Sequence, residues 1–305
     1  MVSLALSAPA KINLFLHVTG RRDDGYHLLE SVFVPIALAD TVRLTLRADG
    51  HVRLLNAPAG LSEANDLACR AARALQAATP TAVGVDIELL KRIPQGAGLG
   101  GGSSDAATAL LGLNRLWSLM LPRAELQSMG AALGADVPFF VFGLPALARG
   151  VGEQLQAVTL PALHIVVASP GVAVATGPVF THADLKRDTH AMSAPVFNLD
   201  FGRNDLQPVA ERLAPEIGRV CETFMETGAN PRMTGSGSCV FALAHHVDHA
   251  HRLRGALARA GWQAWAVRTL HRHPLCSIAD GATISGFPQH FDVTKKWDQR
   301  AVWNV

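Results

Sequence analysis

The chain has 305 residues, too many for one average domain and enough for two. Hydrophobic residues make up 49% and charged residues 17%, which excludes a disordered chain. Its 27 basic and 25 acidic side chains leave a net charge of +2, which gives no basis for a nucleic-acid groove or an anionic membrane surface. The partners expected are small molecules held by a few placed charges.

The opening run, Met1 to Val18, is apolar but lacks a basic start and is interrupted by Lys11 and Asn13. It reads neither as a signal peptide nor as a membrane span, and a cytoplasmic protein is expected. Thr41–Ala48 sets Val42, Leu44 and Leu46 against Arg43, Thr45 and Arg47, the period of a half-buried strand. Asn65–Ala78 is helical, with Asn65 as the expected N-cap. Val83–Leu90 alternates again and runs through Lys91 into a glycine loop, from which a helix rises at Ser103 or Ser104 and continues to about Trp117. A further helix is expected over Leu121–Ala132, starting at Pro122.

A buried strand at Leu160–Pro170 opens the second half, so a domain boundary is placed near residue 155, with a second domain over 156–280. Gly235–Ala244 is a second glycine turn leading into an apolar strand. An amphipathic helix ending at Gly261 and a strand over Trp262–Thr269 follow, and the succession suits an α/β sandwich. The histidines His245, His246, His249 and His251 match no zinc spacing and are read as a solvated helix face. The tail from about Gly281 has no period and is expected to be loosely ordered. Cys69, Cys221, Cys239 and Cys276 are scattered and form no C-x-x-C pair, so buried thiols in a reducing compartment are expected.

The loop carries the chemistry. In "PQGAGLGGGSSDAA", five glycines fall between Gly96 and Gly102, a serine pair follows, and a helix begins. Gly96, Gly98 and Gly101 satisfy G-x-G-x-x-G, but the region some twenty residues on offers a proline and helix formers rather than a strand ending in an acid, which argues against a dinucleotide fold. The residue after Gly101 is Gly102, so the lysine of a P-loop is missing. What remains is a backbone cradle: N–H groups free of Cβ obstruction, aimed with a helix N-terminus at one anion.

These residues resemble the GHMP kinases, a family whose signatures are similar to "APAKINLFLHVTGRRDDGYHLLESVF", to the loop, and to "MTGSGSCVFAL" at Met233–Leu243, in that order. "PAKINLFL" followed by R-x-D-G-Y-H, with "LGADVPFF" and "NDLQPVA", resembles the branch whose alcohol substrate carries a cytidine diphosphate group. The resemblance implies an α+β two-domain fold, with an N-terminal domain like ribosomal protein S5 domain 2 and a ferredoxin-like α/β C-terminal domain. It implies ATP-dependent phosphorylation of a hydroxyl, with ATP and Mg²⁺ as cofactors; the choice between a monomer and a homodimer stays open.

Residue by residue, the resemblance implies that Asp136 is the catalytic base and Lys11 the active-site lysine. ATP falls to Lys91, Pro94, Gln95, Gly96, Ala97, Gly98, Leu99, Gly100, Gly101, Gly102, Ser103 and Ser104, and Ser104 is the expected Mg²⁺ contact. Asn13, Tyr26, His27, Thr176 and Phe180 fall to the acceptor substrate, with the Tyr26 and Phe180 rings as faces for a base. Asp105 is expected to cap the helix or favour a cation. In strand geometry Lys11 and Asn13 point to the same side. Two alternatives stay open: a small-alcohol kinase of other specificity, such as homoserine kinase, which needs no base cradle, and a non-catalytic nucleotide-binding protein.

Overall fold

The computed structural model describes residues 2–57, 62–192, 201–279 and 302–304. Two long strands form the spine. β1, Ser3–Arg21, pairs antiparallel with β2, His27–Arg47, through bulges near Pro9 and between Asn13 and Leu16. The strand expected at Thr41–Ala48 is only the last third of β2. Its upstream part, from Glu30 to Ile36, is buried on both faces and therefore lacks the alternation that marks a half-exposed strand.

The first sheet adds β3, Val52–Leu54, and, after helix α1, Leu67–Ala78, the strand β4, Gly84–Leu90, giving the order β1-β2-β4-β3. Asp66, not Asn65, caps α1: its carboxylate accepts from the Cys69 N–H at 2.9 Å, while the Asn65 N–H donates to the Ser62 carbonyl. α2, Gly101–Leu116, starts two residues before the serine pair and is buried from Ser104 to Leu116. Its small residues let it lie close on the sheet; a Cβ at Gly112 would stand 2.4 Å from the Leu6 side chain. α3, Arg123–Leu133, begins after Pro122 as expected, and α4, Val137–Phe142, packs on α2 and α3. β5, Ala146–Arg149, pairs with β2, and β6, Gln154–Ala157, pairs with β5. The boundary expected near residue 155 thus falls inside a strand of the first sheet.

The second sheet begins at β7, His164–Ser169. After α5, Thr176–Thr181, come α6, Gln207–Leu213, and α7, Glu216–Glu226, then β8, Pro231–Met233, β9, Val240–Ala244, α8, Val247–Arg259, and β10, Gln263–Arg268. The order β10-β7-β9-β8, antiparallel throughout, with helices between β7 and β8 and between β9 and β10, is the ferredoxin-like arrangement. Ile217, Val220, Cys221 and Phe224 give α7 a buried stripe at helical spacing, a signal present in the sequence that the sequence reading leaves without an element. His246 is the N-cap of α8 and accepts from the His249 N–H, so part of the histidine cluster serves the helix start.

One buried cluster joins the two halves: Ile12, Phe15, Val34 and Ile36 of the first sheet pack with Ile165, Val167 and Phe241 of the second. All four cysteines are buried. α9 is a single turn, Cys276–Ala279. The rest of the expected tail lies outside the described residues, except β11, Val302–Asn304, which pairs in parallel with the start of β1. No helix among the described residues is long and apolar enough to cross a membrane.

Candidate active site

The glycine loop folds so that its carbonyls face the protein. Gly96 O accepts from Val174 N, Ala97 O from Cys239 N, and Leu99 O from Lys11 N at 3.0 Å. Among the described residues none of the N–H groups from Gly98 to Ser103 donates to another backbone carbonyl, which leaves them for an anion. Gly96, Gly98 and Gly100 have φ of +61°, +73° and +70°, conformations that favour glycine. Gly98 is also sterically required: a Cβ there would lie 2.1 Å from the Thr234 carbonyl oxygen.

The loop is a wall between two cavities. Gly96, Gly98, Gly100 and Ser103 line both. The smaller cavity, about 450 Å³, is bounded by Asn65, Leu67, Lys91, Pro94, Gln95 and Asp105. The larger, about 650 Å³, holds Lys11, Asn13, Asp136, Tyr26, His27, Thr176 and Phe180. These come from β1, from the turn before α4, from the β1–β2 hairpin and from α5, segments spread from Lys11 to Phe180 in the sequence.

Lys11 is nearly buried, and its Nζ is 3.5 Å from the Asp136 carboxylate, which stays about a third exposed at 32%. The ammonium also donates to Asn13 Oδ1 at 2.8 Å and lies 5.1 Å from the centre of the Phe33 ring. Asn13 is locked in turn, donating to Ser31 Oγ at 2.8 Å and receiving a bond from the Thr234 hydroxyl. Asp136 is the N-cap residue of α4 but makes no side-chain capping bond, so its carboxylate is free to meet a ligand proton. A carboxylate beside a fixed ammonium, open on its other side, is the arrangement of a general base for a hydroxyl nucleophile.

At the other end, His27 is buried while Tyr26 is 64% exposed. The Phe180 ring lies 5.1 Å from the His27 ring at 39°. Thr176 Oγ1 and Ser236 Oγ are 2.9 Å apart, so Thr176 reaches the second glycine turn.

In the smaller cavity Lys91 is not a solvated lysine. It lies between the carboxylates of Asp40 and Asp105. Burial pushes the Asp105 carboxyl up to about 7, Lys91 pulls it back, and Asp40 raises it again. The Lys91 ammonium itself is held above its ordinary value: burial opposes the charge, and the two carboxylates outweigh burial.

Residues 66–144 match the GHMP kinases N terminal domain, and residues 184–263 match the GHMP kinases C terminal domain. The 4-diphosphocytidyl-2-C-methyl-D-erythritol kinase of Azoarcus sp. (strain BH72) is 50% identical over 273 residues, covering 90% of this chain and 96% of that protein. That of Thiobacillus denitrificans is 51% identical over 274 residues, covering 90% and 98%.

The chain belongs to the GHMP kinase family. A crystal structure of 4-(cytidine 5'-diphospho)-2C-methyl-D-erythritol kinase superposes with a TM-score of 0.75 at 40% identity, covering 87% of this kinase and 98% of that chain. A homoserine kinase from Cytophaga hutchinsonii shares the fold at a TM-score of 0.58 and 17% identity.

Three expectations about the kinase need correction. Ser104 is fully buried, lines neither cavity, and has a hydroxyl without a partner among the described residues; the serine that faces both cavities is Ser103. The α-helical turn puts Ser104 a hundred degrees round from Ser103, into the core. Asp105 caps nothing, because the helix begins earlier than expected and the N-cap is Gly100. Leu99 is buried and contributes its carbonyl to Lys11 rather than a surface to the cavity. A further residue of the site is Thr234, whose hydroxyl receives the Asn13 N–H at 3.0 Å. Thr234 sits inside the third motif, where only the fold reveals that it touches the first. Asp40 and Arg187 are missed by the sequence reading; they carry no local motif and meet Lys91 and His27 only through the fold.

Proposed function

We propose that this kinase transfers the γ-phosphate of ATP to the 2-hydroxyl of 4-diphosphocytidyl-2-C-methyl-D-erythritol. The products are the 2-phosphate and ADP, and the reaction is a step of the methylerythritol phosphate route to isoprenoid precursors. The observation that carries this reading is the pair of cavities sharing the glycine wall, with Lys11–Asp136 in one and the nucleotide-side residues in the other. The curated relatives, named for that reaction at about half identity over nine-tenths of the chain, support the choice of acceptor.

ATP phosphates fit the free N–H groups of residues 98–103 and the N-terminus of α2. Lys91 and Asp105 flank the nucleoside side. The acceptor's base lies against Tyr26, His27 and Phe180, which orients its hydroxyl toward Asp136. Asp136 accepts the hydroxyl proton as the oxygen attacks, and Lys11, 3.5 Å away, holds the carboxylate turned toward the nucleophile. Ser103, which faces both cavities, offers the hydroxyl that would hold Mg²⁺, and the cation would supply positive charge against the phosphates. Preference for a cytidyl acceptor over homoserine rests on the aromatic cradle, which a small amino-acid alcohol does not need.

The test is a coupled ADP-release assay with ATP and Mg²⁺, offering the cytidyl-methylerythritol alcohol, homoserine and mevalonate in turn. Turnover with the first alone is expected. Faster turnover with homoserine or mevalonate would refute the assignment.

A further inference from the structure

Arg187 stands 160 positions after His27 in sequence and beside it in the fold. Its Nε donates to His27 Nε2 at 3.0 Å. An arginine can only donate, so Nε2 must be the acceptor, and a neutral imidazole then carries its single proton on Nδ1. The ring is kept neutral: burial lowers its proton affinity, and the nearby Arg187 and Arg21 charges lower it further. His27 Nδ1 has no partner among the described residues, and His27 lines the cavity. The atom left for a ligand is therefore an N–H donor.

Arg187 is itself fixed. Its Nη1 donates to the Leu185 carbonyl at 3.0 Å, and its Nη2 donates to the carbonyls of Phe180 at 3.0 Å and His182 at 2.8 Å. One side chain thus holds the end of α5, the Phe180 ring and the His27 tautomer in a single arrangement. In free histidine the Nε2–H form is the commoner neutral tautomer; here the guanidinium selects the other.

We propose that Arg187 is a specificity-determining positioning residue, which holds His27 as an Nδ1–H donor so that the cavity reads a base edge bearing acceptors and rejects one bearing a ring N–H. Cytosine offers an unprotonated ring nitrogen next to its carbonyl; uracil at the same place has a donor, which would face the His27 donor. The proposal rests on the reading of this cavity as the nucleoside end of the acceptor site.

The test uses full-length protein labelled with ¹⁵N at histidine, with His27→Gln to assign the signal. Long-range ¹H–¹⁵N spectra of the unmutated protein should show His27 neutral and protonated at Nδ1; an Nε2–H pattern would overturn the proposal. In Arg187→Met the pattern should shift toward Nε2–H, and CDP should lose its advantage over UDP in calorimetric binding by about tenfold or more, the effect of one hydrogen bond. In turnover, KM for the cytidyl acceptor should rise by a similar factor while kcat and the ATP KM move less than about threefold. Arg187→Lys, which can still donate to Nε2, should recover part of the CDP preference. An unchanged CDP-to-UDP ratio in Arg187→Met would also overturn it. Because the spectra and the CDP and UDP titrations need no turnover, failure of the cytidyl alcohol as a substrate would count against the proposed reaction alone.

Discussion

Replacing Asp136 by asparagine removes one charge and one basic site while keeping the shape. In the fold, Asp136 makes no capping bond, and its chief partner is Lys11 at 3.5 Å. At an effective dielectric of about 20 that pair is worth roughly 5 kcal/mol before desolvation is subtracted. Lys11 keeps the Asn13 oxygen at 2.8 Å and the Phe33 face after the change. The fold should therefore lose about 1–3 kcal/mol, less than the ~3–5 kcal/mol of breaking a fully buried pair. The rate should fall much further. Loss of general-base help costs about 10²–10⁴ in kcat, which is roughly 2.7–5.4 kcal/mol of barrier. Asp136 lines only the larger cavity, so ATP affinity should change by less than about threefold. Coupled ADP release gives kcat, calorimetry with ATP gives the affinity, and a denaturant melt gives the stability. A kcat within about tenfold of the parent would refute the base role. A parallel loss of ATP binding would mean that the two cavities are not the separate sites their geometry describes.

Tyr26→Ala should raise KM for the cytidyl acceptor by about five- to a hundredfold, the value of roughly 1–3 kcal/mol for a stacked base, and leave the ATP KM alone; equal rises in both would remove Tyr26 as a base platform. Asp105 reverses the usual carboxylate case. Its folded value, about 7, lies above the ordinary 3.8, so native stability is full below the ordinary value and is lost as pH climbs through the interval between them. Asp105→Asn should accordingly gain on the parent by up to about 1 kcal/mol per pH unit in that interval and level off above it, as read by urea melts across the range; a gap that does not change with pH would contradict the burial argument. Gly98→Ala places a Cβ 2.1 Å from a backbone oxygen at φ +73°, and should cost more than about 3 kcal/mol and abolish ATP binding, whereas Gly171→Ala, at φ +77° with nothing within 4 Å, should cost only about 1 kcal/mol of backbone strain. Similar melting points for the two alanine variants would show that the contact with Thr234 does not constrain the loop.

Much of the site is legible in the sequence because its parts are local. A glycine run before a helix start is visible as such, and so is a lysine two residues from an asparagine on one strand face. What stays hidden is set by contacts between distant segments or by a single residue's step round a helix. Ser103 and Ser104 look interchangeable in sequence, and the rotation of about 100° between successive residues of α2 sends one to the cavity and the other into the core. Nothing near Lys91 in sequence announces Asp40, fifty-one residues upstream, which the fold brings beside it. The central part of β2 hides because layers on both sides bury it, which erases the alternation that marks a strand. The tyrosine-histidine pair is obvious, but nothing near it announces that Arg187 fixes the histidine proton.

The loop brings dipoles and no full positive charge, so a cation has to be registered against it from another element. β1 does this through its main chain. The Lys11 N–H donates to Leu99 O at 3.0 Å, inside the glycine loop, and two residues on the Asn13 N–H donates to Thr234 Oγ1 at 3.0 Å, inside the third motif. The third motif closes the circuit: a Cβ at Gly235 would stand 2.8 Å from Gly98 O. Three segments spread over some two hundred residues are thus held by one backbone hydrogen bond, one bond to the Thr234 hydroxyl and a close glycine approach that tolerates no side chain. The ammonium of Lys11 inherits its place from that frame rather than from its own flexible stem, since a Cβ at Gly100 would already touch the Lys11 side chain at 3.3 Å. Phosphoryl transfer depends on positioning charge before the reaction begins. The absence of side chains in the loop is what lets the lysine be placed so closely, and the glycines are therefore as much a device for Lys11 as for the phosphates.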